Sequence, residues 1–169
     1  LSACLTLAEQ WAGVSQEPAA VPCMEEAVLS FLRSCEVLTS DWKQMLEQAA
    51  NAPEPENLLA YTPALDQEIR LFTMDMLYRY YLRAAYAETP EAEILPVQMT
   101  AFAVCIVLLY SRRLGFHTAE QRLRIWQLFV KEIEYDGDNL EELEWQLETN
   151  AAFSPAAFRA YFASPGGVQ

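Results

Sequence analysis

The sequence predicts an all-α fold, an irregular bundle of about six to eight helices with two central apolar helices. Three observations carry that prediction. Apolar residues recur at three- and four-residue intervals through most of the chain, the period of one helix face. Glycine is scarce, at 5 of 169 residues, and strand signals are nearly absent. Prolines fall between apolar blocks, where they punctuate helices. With 53% hydrophobic and 12% aromatic residues the chain can build a real core, and its length is that of one domain. Residues 1–164 therefore read as a single helical domain and 165–169 as a flexible tail.

Residues 2–13 form a short helical candidate ending near Gly13, and 15–22 form a loop holding Pro18 and Pro22. From Cys23 to about Val37, the residues Met24, Ala27, Val28, Phe31, Leu32 and Cys35 share one helical face. Thr39-Ser-Asp41 is an N-cap signal for a helix through Trp42, Met45, Leu46 and Ala49. Residues 51–63, with three prolines, form a loop or linker. From Leu65 to Ala87 the chain is apolar on most sides (Ile69, Leu71, Phe72, Met74, Met76, Leu77, Tyr80, Tyr81, Leu82), the mark of a helix packed all round. Thr89-Pro-Glu-Ala-Glu93 is a connector, and Val97 to Leu114 is a second such helix, ended by Gly115 in a left-handed cap. Thr118 and Gln121 fit a capping box for a helix reaching Tyr135. Asp138 is the expected N-cap of the next helix, with Glu141 at its third position. Ser154-Pro155 opens the last one, Ser as cap and Pro in the first turn.

The formal charge of -13 opposes nucleic-acid binding, which needs Lys and Arg to displace counterions from phosphates. It equally opposes docking on an anionic membrane, and it suits either simple solubility or encounter with a basic protein. The four cysteines are scattered at Cys4, Cys23, Cys35 and Cys105, and His117 is the lone histidine, so no zinc-ligand spacing is present. The longest apolar stretch, residues 97–110, is shorter than the roughly 20 residues of a bilayer span. The N-terminus lacks the basic region of a secretory signal. It also lacks a starting Met, which suggests a piece of a longer protein.

Among candidate functional residues, Glu132 stands at the rim of the stripe formed by Ile125, Trp126, Phe129 and Ile133. A carboxylate there needs a partner. It is either tied to a neighbouring helix or is an acid that binds a cation or positions a lysine substrate. Tyr78, Tyr80 and Tyr81 are either a pocket wall or core aromatics with their hydroxyls at the edge. Arg79 follows Asp75 by four residues, the favourable order for an intrahelical pair. Arg112 and Arg113 oppose the negative end of a helix dipole, with anion binding as the alternative. No dinucleotide-binding, P-loop, nucleophile-elbow or zinc-protease motif is present.

The run Phe129-Val-Lys-Glu-Ile-Glu-Tyr-Asp-Gly-Asp-Asn-Leu140 resembles the late helical region of bacterial flagellin lysine-N-methylases. The upstream order is similar too: Trp42 after a turn, the tyrosine- and arginine-bearing Leu77-Tyr-Arg-Tyr-Tyr81, then an apolar helix like 102–110. The resemblance covers roughly residues 23–147, and Arg79, Glu132, Glu134 and Asn139 match its recurring pattern. The family's N-terminal cysteine cluster has no counterpart here. The resemblance thus implies the helical C-terminal part of a bacterial, cytoplasmic enzyme. S-adenosylmethionine would serve only the full-length protein, a flagellin-like basic protein would be the partner, and no catalysis is expected from this part alone. Its binding residues would be Arg79, Glu132, Glu134 and Asn139. The alternative is a helical small-molecule-binding or dimerisation domain, with Tyr78, Tyr81 and Arg112 lining a cavity between helices.

Overall fold

A computed structural model describes residues 24–53, 62–86 and 90–163. The helix and loop read at 2–22, most of the 51–63 linker and the 165–169 tail lie outside the described residues, as does the side chain of Tyr81. Among the described residues there are seven α-helices and no strand. They are α1 (Met24–Ser34), α2 (Ser40–Asn51), α3 (Pro63–Ala85), α4 (Pro90–Leu114), α5 (Ala119–Phe129), α6 (Gly137–Thr149) and α7 (Pro155–Ala163). A π-helical segment, Val130–Glu134, continues α5, and a 3-10 turn, Ala151–Phe153, precedes α7.

Helix α4 is the axis of the molecule. Every residue from 98 to 111 is buried, and α1, α2, α3, α5, α6 and α7 all pack on it. It starts at Pro90, seven residues before the predicted start at Val97, with Pro96 inside it. Residues 90–93, read as part of a connector, are its first turn. Pro96 has no N–H to give, and its carbonyl accepts from the Thr100 hydroxyl at 2.7 Å. The segment Ile94–Leu114 is long and apolar enough to cross a membrane by length and composition, contrary to the shorter span read from sequence. Of its most apolar 18 residues 94% are buried inside the bundle, and it serves as the core.

Aromatic side chains cross-link the layers through α4. Phe102 meets Phe31 of α1 and Phe153 edge-on, at 5.4 and 5.3 Å between ring centroids, and Tyr110 meets Trp42 of α2 at 5.5 Å. Phe72 of α3 stacks on Trp126 of α5 at 4.6 Å. Gln98, buried in α4, donates to the carbonyls of Leu147 and Phe153 at 2.8 and 3.0 Å, which satisfies one carbonyl in the last turn of α6 and one in the 3-10 turn.

The predicted caps hold with one exception. Thr39 caps α2, Thr118 and Gln121 form the capping box of α5, and Ser154 accepts from the Ala157 amide. Gly115 takes a φ of 65° after α4. At α6 the cap is Asp136, whose side chain accepts from the Asn139 amide at 2.8 Å, and not Asp138. The helix thus begins at Gly137, two residues earlier than expected, and Asp138 falls in its first turn.

Helix α3 departs further from expectation. Its sequence reads as central, yet among the described residues its packing is on one side, chiefly along α4 and also against α5. The other side leaves Leu71, Met74 and Tyr78 exposed.

Candidate functional site

The sequence-predicted residues gather into three polar clusters. The first surrounds Glu132. An α-helix continued past Phe129 would leave this carboxylate on the rim. The chain winds wider there, with the Tyr135 amide bonding the Val130 carbonyl five residues back, and Glu132 turns fully inward. Its Oε2 accepts from the Leu38 amide at 2.7 Å, and its Oε1 accepts from the Thr39 hydroxyl. Asn139 works beside it. Its amide nitrogen donates to the Glu36 and Glu132 carbonyls, each at 2.8 Å, and its oxygen accepts from the Glu36 amide at 2.8 Å. The two side chains thus hold residues 36–39, the link from α1 to α2, against the π-helix and the start of α6. Both carboxylate oxygens and both ends of the amide are occupied, which meets the demand of buried polar groups.

The second cluster joins α3 to the π-helix. Arg79 pairs with Asp75 of its own helix at 2.8 Å, as its spacing predicts, and also with Glu134. Its guanidinium carbon stands 6.0 Å from the centroid of the Trp126 ring, within cation–π range. Burial raises the Glu134 carboxyl above the usual glutamate range, and the Arg79 guanidinium offsets only part of that rise.

The third cluster involves Arg112. Arg112 and Arg113 do lie in the last turn of α4, but both reach the buried carboxylate of Glu25 in the first turn of α1, Arg113 at 3.2 Å. The Tyr161 hydroxyl donates to the same carboxylate at 3.3 Å. Sequence reasoning passed over Glu25, although it shares a helical face with Val28, Leu29 and Leu32, which is the signal that singled out Glu132. It also missed the pair of Arg122 and Glu68, bonded twice at 2.6 and 2.9 Å across α3 and α5.

Of the tyrosines of α3, Tyr78 and Tyr80 are described to the side chain. Tyr78 faces solvent and Tyr80 is buried. A groove of about 500 Å³ lies between α2 and α5 and is lined by Met45, Phe116, Glu120, Gln121, Leu123, Arg124 and Gln127. The Cys35 thiol is pushed up to about 12 by burial and by the nearby carboxylates of Glu142 and Asp136, which leaves it a poor nucleophile. Among the described residues no three His, Cys, Asp or Glu side chains are placed to hold a metal ion.

One surface is chemically distinctive. Helix α6 carries Asp138, Glu141, Glu142, Glu144 and Glu148 and no basic residue. On its outer face Trp145 is 56% exposed, with Glu141, Glu142 and Glu148 one helical turn away. No family model and no curated protein matches the sequence, and no solved structure matches the fold.

Proposed function

We propose that this chain is the helical, partner-recognising part of a lysine-N-methylase of the flagellin type, acting on a basic, lysine-bearing protein. Methyl transfer from S-adenosylmethionine would need further polypeptide. The resemblance of 129–140 supports the family, and the use of Glu132 and Asn139 as structural ties supports a scaffold role for that motif. The observation that carries the recognition role is the outer face of α6. An indole amid carboxylates attracts an ammonium group by both its ring and its charge surroundings.

Binding of a labelled lysine-rich peptide, followed by fluorescence anisotropy, tests the reading. Affinity should fall with salt, and Trp145→Ala should weaken it by roughly two- to fivefold, the size of an exposed cation–π contact. Absence of binding at low ionic strength, or methyl transfer to flagellin by this chain alone, would overturn it.

A second reading, a small-molecule-binding domain, is favoured by the groove between α2 and α5, whose volume of about 500 Å³ lies in the range of ligand sites. A thermal-shift screen decides it: a ligand whose shift disappears in Leu123→Asp supports the groove, and uniformly null shifts reject it.

A further inference from the structure

Asp136-Gly137 is the one place in the chain where an Asp or an Asn precedes a Gly. Such a pair is chemically weak. Glycine puts no Cβ in the way, so its backbone nitrogen can reach the side-chain carboxyl of the residue before it. The structure sets this pair at the break between the π-helix and α6, in a shape that resists the reaction. Asp136 has φ -98° and ψ 119°. At that ψ the Gly137 nitrogen lies over the Asp136 Hα, on the side away from Cβ. The carboxylate is turned elsewhere, accepting from the Asn139 amide at 2.8 Å, and the Asp136 carbonyl accepts from the Leu140 amide at 3.0 Å. To bring the nitrogen to the carboxyl, the Cα–C bond of Asp136 must turn, and α6 must turn with it. Helix α6 is pinned by buried Asn139, Leu143 and Leu147.

We propose that Asp136-Gly137 is a site of spontaneous backbone isomerisation, and that the Asn139 tie keeps it unreactive while α6 stays docked. In the open state the Gly137 nitrogen attacks Cγ of the protonated Asp136 carboxyl. The N–Cγ bond forms, and the acid's hydroxyl leaves with the amide proton as water. The product is a five-membered imide ring. Solvent water then opens that ring at one of its two carbonyls. Attack at Cγ restores aspartate. Attack at the main-chain carbon gives isoaspartate, in which the chain runs through Cβ and Cγ and the former main-chain carbonyl is the free carboxylate. The atoms balance with solvent water alone. Isoaspartate lengthens the backbone by one methylene at the cap of α6. It thereby displaces Asn139 from the Glu36 and Glu132 carbonyls and frees residues 36–39. The site records, in covalent form, how often α6 has left the bundle. This inference stands apart from the recognition role of α6.

Ageing the full chain in warm neutral buffer, with and without urea, tests it. Trypsin cuts after Lys131 and Arg159, and the 132–159 peptide holds the pair. Its isoaspartate form has an unchanged mass but separates by chromatography, and electron-transfer fragmentation identifies it. In urea the isomer should accumulate. In native buffer it should form roughly tenfold or more slowly, in proportion to the open population. Asn139→Ala should speed the native reaction by roughly tenfold. Gly115→Ala, which strains the turn after α4 and leaves the Asn139 bonds intact, should speed it far less. Circular dichroism shows whether each variant folds, and the parent's comparison with and without urea stands whether or not it does. Absence of the isomer in urea would remove the site. Equal rates with and without urea, or an Asn139→Ala rate no greater than that of Gly115→Ala, would overturn the guarding role of the tie.

Discussion

Glu132 shows how much one side chain can specify when it is buried with its donors. Replacing it by Gln keeps the shape and loses the charge. The amide oxygen can still accept from the Leu38 N–H, and the Thr39 hydroxyl can turn to accept from the new NH2 group. The expected cost is the charge assistance, about 1–2 kcal/mol, or roughly 2–8 °C in melting temperature. Asn139→Ala removes three bonds and strands the Glu36 backbone, and should cost about 2–4 kcal/mol by urea unfolding. If either variant melted like the parent, these residues would not be the tie described. Glu134 makes a prediction of opposite character. Its folded pKa is raised by burial, so the folded state holds the proton more tightly than the unfolded chain does. Its contribution to stability is full in acid and is lost as pH climbs from about 4.3 through the raised value. Glu134→Gln removes that slope. The variant's urea midpoint should therefore improve relative to the parent as pH rises from about 4 through the raised value, and a constant difference would refute the assignment.

At the level of the helices, the sequence was most readable where local chemistry decides. Thr39, Thr118, Gln121, Ser154 and Gly115 all stand where their capping roles require. It was least readable where tertiary packing overrides local preference. Pro96 marks a stop by its own chemistry, but α4 runs through it because apolar residues on both sides are buried by six neighbouring helices. The π-helix has no local signature either: it exists because Glu132 finds donors on a loop more than ninety residues away. The inner partner of Arg112 was hidden for the same reason, since nothing near Arg112 in sequence names Glu25. The two described glycines give a paired prediction. Gly115→Ala should destabilise by about 1–2 kcal/mol, because φ is positive there and a Cβ is disfavoured whatever the space. Gly137→Ala should stabilise by about 0.4–1 kcal/mol, because it is helical, meets nothing within 4 Å and loses freedom only in the unfolded chain. Thermal unfolding of both variants checks the opposite signs.

Over the whole molecule, composition foretold an all-α fold with α4 at its centre, while the surfaces needed coordinates. The acidic excess is concentrated on faces such as the outer side of α6, and the buried carboxylates Glu25 and Glu132 and the half-buried Glu68 and Glu134 are all partnered. Screening should therefore act mainly on repulsion between exposed acids. The melting temperature should rise as sodium chloride is brought from low to physiological strength, and a fall would show that surface ion pairs outweigh that repulsion. The tie at residues 36–39 has a consequence in time. Glu36 and Asn139 are 103 residues apart, so on the ribosome α1 and α2 emerge long before the polar groups that anchor their link have been synthesised. At ordinary translation rates that interval is roughly 5–20 s. During it Phe31, Trp42 and Met45 have no finished core to enter, and the nascent α1–α2 pair is the stretch most in need of a chaperone's cover.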